Sequence, residues 1–319
     1  MTPLTRAFLV VFVFVGGLAS AVQSRANGTL AVEMGVPIYA ALWSFVSGWV
    51  VLTLGLVVPS VRRAMVRVHR AFRSGEIRWW EFLGGLVGGS FVGVQTFAVP
   101  IAGVALFLVA VVAGQSIGAL VVERVGLGGA GPGALSWSRV GWASLAVAGA
   151  AFAMSGRIGT TGGDVRVVVI PVLLAVAVGA LQAVQTSLNG HVRAVSRSFW
   201  VAGWANFMWG SGLLVGWAAV QAVSGSLGPV GDWSDSPWWT YLGGLMGITF
   251  IVAGAVAARP LGVLTVMLLM ISGQLLGALA LDLASPETRH LVTLSLVIGV
   301  TITLVAAAGS SLSSRRRLR

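Results

Sequence analysis

One phrase occurs twice in the chain, and it constrains the fold more than any other feature. The segment RWWEFLGGLVG begins at Arg78, and PWWTYLGGLMG begins at Pro237. The likeness continues downstream, where residues 84–123 align with residues 243–282 at a constant offset of 159. Self-similarity over such a length indicates that one structural unit is present twice.

A second pair of segments extends the repeat upstream. GLASAVQSRANG at residues 17–28 aligns with GALQAVQTSLNG at residues 179–190, at an offset of 162. The two alignments lie in the same order in each half, within residues 17–123 and residues 179–282. We therefore predict two related units, residues 1–157 and 158–319.

The composition is that of a membrane protein. Of the 319 residues, 57% are hydrophobic and only 9% are charged, and a soluble protein cannot bury so much apolar surface. The length accommodates about ten helices of roughly 20 residues each. The apolar runs predict spans at 6–26, 36–58, 80–98, 100–122, 139–156, 167–188, 198–222, 238–257, 260–281 and 289–309.

Arginine positions predict the orientation of these spans. Sixteen of the twenty arginines fall in loops on one side of the predicted membrane, and only Arg25, Arg157, Arg166 and Arg289 fall on the other. Arginine-rich loops stay in the cytoplasm, so both termini are predicted to be cytoplasmic. The net charge of +11 is thus a topology signal, and we expect no nucleic-acid partner.

The repeated phrase lies in opposite electrical settings. The loop before Trp79 carries six arginines, whereas the loop before Trp238 carries Asp232 and Asp235 and no arginine. Five spans per half is an odd number, so the second half would enter the membrane from the opposite face. Inverted repeats of this kind are typical of secondary transporters.

Amide side chains inside the spans are candidates for substrate binding, because buried polar groups in lipid need a reason. Gln115 and Gln274 recur in the fourth span of each half, and Gln23 and Gln185 recur near the end of the first. Asn206 is a weaker candidate. These amides either line a pathway or join neighbouring helices.

Two further pairs recur in the repeat. Asn27 and Asn189 each precede a glycine, which favours a structural role as helix C-terminal caps. Glu123 and Asp282 each lie at the end of a span, where a carboxylate opposes the helix dipole. We expect Glu123 and Asp282 to be gating residues, one at each mouth, or else ordinary solvated loop residues.

The chain contains no cysteine, and its three histidines are all predicted to lie in loops, so we expect no metal site and no cofactor. The predicted spans hold no cluster of nucleophile and base, which argues against an enzyme. They also hold no central acidic or basic residue, which favours a neutral, zwitterionic or amphipathic substrate over a strongly charged cation.

The repeated motifs resemble the YdcZ-like family of the drug/metabolite transporter (DMT) superfamily. The resemblance rests on Gln…Asn-Gly after the first helix, Trp-Trp before the third, and Gly-Gln-x-x-Gly-x-Leu in the fourth. It implies an all-α integral membrane protein of the DMT/EamA-like kind, with ten transmembrane helices as two inverted five-helix repeats. It also implies a multi-pass carrier in the bacterial plasma membrane, here as a fused pair of units that elsewhere occur singly.

We therefore expect a secondary transporter or exporter of a small organic metabolite or drug-like molecule that works by alternating access. A lipid-linked flippase and a non-transporting membrane scaffold or subunit are the alternatives. The expected partners are a small-molecule substrate and the lipid bilayer, with the chain as a monomer or homodimer.

Overall fold

The computed structural model describes residues 2–127, 136–158 and 164–316, and the regular structure in these ranges is helical, with no β-strand. The described α-helices are α1 (Pro3–Met34), α2 (Pro37–Leu54), α3 (Pro59–Arg73), α4 (Gly84–Ala102), α5 (Val104–Val125), α6 (Trp137–Ile158), α7 (Arg166–Ser196), α8 (Phe199–Val223), α9 (Gly243–Leu261), α10 (Val263–Ala284) and α11 (Leu294–Arg316). Short 3-10 turns at Trp79–Leu83 and Trp238–Leu242 hold the two Trp-Trp pairs and lead into α4 and α9.

Seven of the described helices are long and apolar enough to cross a membrane. They span Pro3–Met34, Pro37–Val57, Trp79–Ala102, Val104–Val125, Arg166–Ser196, Thr265–Ala284 and Leu294–Leu312. A lipid bilayer requires about 20 apolar residues per helix, so these lengths define a multi-pass membrane protein.

Helices α1 and α7 are longer than the sequence predicted, and this corrects the roles of two asparagines. Helix α1 continues to Met34 and ends where Gly35 adopts a φ of 68°. Helix α7 continues to Ser196. Asn27 and Asn189 therefore lie inside helices, and the prediction that they cap helix ends was wrong. Gly35 supplies the left-handed conformation that ends a helix.

The breaks between α4 and α5 and between α9 and α10 also lie at other residues than predicted. Helix α4 passes through Pro100 and ends at Gly103, which has a φ of 81°. Helix α9 likewise contains Pro260 and ends at Gly262, with a φ of 80°. A proline this close to a helix end removes few backbone hydrogen bonds, whereas the glycine provides the conformation needed for the turn.

Helix α3 occupies a segment that was predicted to be a loop. Because α3 contains five arginines, it is not an apolar run and was not recognised as a helix. Ala64, Val68 and Ala71 form its buried face and pack against Val192 of α7 and Val201 of α8. Helix α3 is therefore amphipathic and lies against the C-terminal end of α7.

Glycine contacts recur at the offsets of the sequence repeat. A Cβ at Gly17 would lie 2.2 Å from the carbonyl oxygen of Met270, and one at Gly179 would lie 2.2 Å from that of Val111. Met270 follows Val111 by the offset of 159, and Gly179 follows Gly17 by 162. Helix α1 thus packs along α10 as α7 packs along α5. In both pairs only glycine permits the approach.

The same correspondence holds on the other side of α1 and α7. Gly247 of α9 approaches Gln23, and Gly88 of α4 approaches Gln185, with 2.8 Å from an added Cβ to the amide nitrogen in each case. Helix α1 thus packs against α9 and α10, and the equivalent helix α7 packs against α4 and α5. This exchange positions the polar side chains described next.

Candidate functional site

Polar side chains of α1, α4 and α10 form a cluster that we call the first amide cluster. Its members are Ser20, Gln23, Ser24, Asn27, Gln95 and Gln274, all buried. Gln274 donates a 2.9 Å hydrogen bond from its amide nitrogen to the hydroxyl of Ser20. The cluster therefore includes two of the predicted substrate-binding residues, Gln23 and Gln274.

Gln95 of α4 lies at the centre of this cluster and is fully buried. Its carbonyl oxygen accepts a 2.7 Å hydrogen bond from Asn27, and its amide nitrogen donates one of 2.7 Å to Ser24. Asn27, predicted to be a cap, thus joins α1 to α4 instead. A buried amide in a membrane protein needs such partners, because lipid offers none.

The second amide cluster consists of Gln115, Gln182, Gln185, Asn189 and Asn206. Gln115 of α5 donates a 2.7 Å hydrogen bond to the side-chain oxygen of Gln182. Asn206 of α8 accepts bonds of 2.6 Å from Gln185 and 3.1 Å from Asn189. The second amide cluster thus contains Gln115, Gln185 and Asn206. The five predicted substrate-binding residues therefore fall into two separate clusters.

The two clusters match through the repeat but differ in exposure. Gln115–Gln182 occupies the positions equivalent to Gln274–Ser20. In the first cluster every member is buried, whereas in the second only Asn206 is buried and the others are partly exposed. The end of α7 is therefore more loosely enclosed than the equivalent end of α1.

Two substitutions within the repeat account for part of this difference. The position equivalent to Gln95 is Gly254, so the second cluster lacks a central amide on α9. The position equivalent to Asn206 is Ser44, whose shorter hydroxyl is buried without a hydrogen-bond partner, whereas Asn206 accepts two hydrogen bonds.

Most amides of the two clusters bond to neighbouring side chains, whereas Gln23 approaches Gly247 of α9. Neither of two surface grooves, of about 400 Å³ and 510 Å³, is lined by them. A substrate that reached the second cluster would have to displace the bond between Gln115 and Gln182.

Asp282 is buried at one end of the helix bundle. Its carboxylate accepts hydrogen bonds from the backbone amides of Val104 (3.2 Å) and Ala105 (2.8 Å), and only 1% of the residue is exposed. These amides are at the N-terminus of α5, where the helix dipole favours a negative charge. Asp282 thus joins the end of α10 to the start of α5.

An arginine clasp lies beside this contact. Arg25 of α1 pairs with Glu287 at 2.6 Å and also bonds to Ser285 and Thr288. The hydrogen bond from Ser285, followed by the charge of Arg25, lowers the pKa of the Glu287 carboxyl. Arg157 of α6 donates to the carbonyl oxygen of Ile101 at 3.1 Å. We call these contacts and Asp282 the Asp282 end.

Glu123 lies at the opposite end of α5 from Asp282. Helix α5 has 22 residues and is therefore about 33 Å long. Asp282 contacts its first two residues, whereas Glu123 lies in its last turn. There Glu123 pairs with Arg139 of α6, and both side chains are 28% exposed. The two predicted gating residues are equivalent in sequence and differ in environment.

One buried acidic residue at the Glu123 end, Glu81, was not predicted as a site residue from the sequence. Glu81 is almost fully buried beside the end of α7 and hydrogen-bonds to His191. His191 was predicted to lie in a loop, but it lies in the last turns of α7. A longer estimate of α7 would have found it, since the helix ends only at Ser196.

Three amide-cluster residues could have been found from the sequence. Gln95 is a polar residue inside the predicted span 80–98, which is itself a signal. Ser20 and Gln182 are equivalent positions inside the repeated segment. Both are polar although their identities differ, so a comparison of identities overlooked them.

These features define the class of the protein. The described residues form an all-helical, multi-pass membrane protein. Its buried polar groups lie on helices that contact one another, and these contacts recur at equivalent positions of the sequence repeat.

Comparison with known families gives a narrower assignment. The family model described as "Putative inner membrane exporter, YdcZ" matches residues 8–152 and again residues 170–309. The chain therefore belongs to the YdcZ-like family of the DMT superfamily, in a two-repeat form. Comparison with curated proteins and with solved structures finds no match.

Proposed function

We propose that the chain is a secondary transporter or exporter of a small organic molecule. In this proposal it consists of two inverted five-helix repeats, residues 1–157 and 158–319, with ten transmembrane spans. It works by alternating access in a bacterial plasma membrane, with both termini in the cytoplasm. Membership of a family of inner-membrane exporters supports a transport function in general.

The observation that carries this proposal is the contrast between Asp282 and Glu123. Equivalent residues of two inverted halves face opposite sides of the membrane, and alternating access closes one side while the other opens. Asp282 is buried on the N-terminus of α5, whereas Glu123 is partly exposed beside Arg139. In this proposal the conformation is closed at the Asp282 end and looser at the Glu123 end.

The arginine distribution supports a proposed orientation of these two ends in the membrane. Helix α3, with five of the arginines, packs beside the end of α7, at the Glu123 end. Because arginine-rich segments remain in the cytoplasm, the looser end would face the cytoplasm. The conformation would then be inward-facing, with the second amide cluster as the part of the pathway nearer to solvent.

The chemistry of the clusters suggests the class of substrate. Their side chains are amides and hydroxyls, which donate and accept hydrogen bonds without carrying charge. Gln115, Gln185 and Asn206 in one cluster and Gln23 and Gln274 in the other are the proposed contacts. A neutral or zwitterionic molecule could exchange its own hydrogen bonds for those between the amides.

Cysteine labelling tests the inverted topology. The chain has no native cysteine, so Ser74→Cys and Ser234→Cys each introduce a single thiol. Both serines are exposed, and each precedes one Trp-Trp pair. A membrane-impermeant thiol reagent applied to intact cells should label Ser234→Cys and spare Ser74→Cys. Equal labelling of the two variants would contradict the inverted repeat.

A flux experiment tests transport itself. Purified protein would first be screened against a metabolite library by thermal shift, because a bound ligand raises the melting temperature. Any ligand found would then be loaded into proteoliposomes, and its release would be measured over time. Ligand binding without release faster than from protein-free liposomes would favour a non-transporting role.

A further inference from the structure

Helix α3 carries five arginines on one face. At about 100° per residue, Arg62, Arg63, Arg67, Arg70 and Arg73 fall within an arc of about 140°. The buried residues Ala64, Val68 and Ala71 lie on another side of the helix. The helix contains no acidic residue, so this face, which we call the arginine stripe, is uniformly positive.

The arginine side chains of the stripe lie around one shallow, open depression on the surface of α3. Pro59, Arg62, Arg63, Val66, Arg67 and Arg70 line a groove of about 510 Å³. Within the described part of the chain, Arg62, Arg63, Arg70 and Arg73 form no ion pair with an acidic side chain. Their charges are therefore available to an external anion.

Apolar residues accompany the arginines at the surface. Val66 lies within the stripe and is 49% exposed, and Phe72 is 47% exposed. An amphipathic helix with basic and apolar residues on its outer surface is suited to the boundary between headgroups and acyl chains. The short turn Gly55–Val57 joins α3 directly to the end of the membrane-length helix α2.

One arginine of the stripe connects it to the transport helices. Arg67 donates two hydrogen bonds, of 3.0 Å and 2.7 Å, to the carbonyl oxygen of Ser196, the last residue of α7. Helix α7 also carries Gln182, Gln185 and Asn189. The stripe is thus attached to the helix that forms much of the second amide cluster.

We propose that the arginine stripe of α3 binds the phosphate headgroups of anionic phospholipids. Arginine forms paired hydrogen bonds with phosphate oxygens, and several guanidinium groups on one groove would hold one or two headgroups. The adjacent Val66 and Phe72 would contact the upper acyl chains. Headgroup binding would fix α3 on the membrane surface beside the end of α7.

Native mass spectrometry of the purified full chain tests this proposal. Dioleoyl phosphatidylglycerol and dioleoyl phosphatidylcholine are the anionic and zwitterionic probes. Wild type should bind phosphatidylglycerol more tightly, and Arg62→Gln/Arg63→Gln should weaken that binding by roughly tenfold or more, at about fivefold per arginine. Arg62→Lys/Arg63→Lys should retain most of it.

The matched control is Arg6→Gln/Arg124→Gln, which removes the same charge from exposed residues of α1 and α5. It should change phosphatidylglycerol binding by less than about twofold.

If Arg62→Gln/Arg63→Gln does not fold, Arg70→Gln/Arg73→Gln removes two charges from the same stripe. Unchanged binding in the stripe variant, or an equal loss in the control, would overturn the proposal. Displacement of the lipid by an equal concentration of inorganic phosphate would also overturn it, because the site would then serve a soluble anion.

Discussion

The carboxylate of Asp282 accepts a 2.8 Å hydrogen bond from the backbone amide of Ala105, and this contact joins α10 to the N-terminus of α5. Asp282 is buried, so its carboxyl group depends on hydrogen bonds from the two backbone amides in place of water. Separating α10 from α5 would expose or orphan these groups. Opening this end of the bundle therefore requires a replacement for these buried hydrogen bonds.

The first prediction compares the two equivalent carboxylates. Asp282→Asn should lower the apparent free energy of unfolding by about 1–3 kcal/mol, because an amide leaves one of the two buried backbone donors without an acceptor. Glu123→Gln should cost less than about 1 kcal/mol, since its partly exposed ion pair with Arg139 is solvated. Thermal melts of the purified variants would measure both. Equal losses would mean that the two ends are equally closed.

The second prediction uses two glycines with the same backbone conformation. Gly103 and Gly262 have φ values of 81° and 80°, so an alanine strains the backbone equally at both. An added Cβ at Gly103 would lie 2.9 Å from the Asp282 carboxylate, whereas at Gly262 it would meet nothing within 4 Å. Gly103→Ala should therefore lower the melting temperature more than Gly262→Ala. The opposite order would show that Asp282 does not occupy this position in solution.

The third prediction separates binding from helix packing at the paired glutamines. Gln115 is partly exposed, so Gln115→Ala should change the ligand response with little loss of stability. Gln274 is buried against Ser20, and its loss should cost about 0.6 kcal/mol, up to nearly 2. Thermal melts with and without ligand would distinguish the two effects. A loss of stability without any change in ligand response at Gln115 would assign it to packing.

Much of this arrangement was accessible from the sequence because the repeat carries it. The equivalence of Gln115 with Gln274, and of Glu123 with Asp282, follows from a constant offset. The exact helix ends did not follow, because Gly35 and Gly103 end helices that composition could not delimit. Burial differences between equivalent residues were also inaccessible, since sequence identity does not report which end of a bundle is closed.

Helix α3 and the pair of Glu81 with His191 were missed for a related reason. Both lie near the ends of apolar runs, where polar residues are ordinarily assigned to loops. The helical period of Ala64, Val68 and Ala71 was a usable signal for α3. The contact of Glu81 with His191 depends on how the Trp79–Leu83 turn packs against α7, which no local pattern predicts.

The last prediction concerns the pH dependence of the arginine clasp. Hydrogen bonding from Ser285 and the charge of Arg25 lower the pKa of Glu287 below its ordinary value of about 4.3. A depressed pKa means that the unfolded chain binds the proton more readily. The stabilising contribution is therefore present above about pH 4.3 and is lost as the pH falls through the lower, folded-state value.

Glu287 is exposed, so the effect should be small and weakened by salt. Melts between about pH 3 and 6 should show a smaller acid-induced fall for Glu287→Gln than for wild type. Identical profiles for the two proteins would show that the clasp does not contribute to closure of this end.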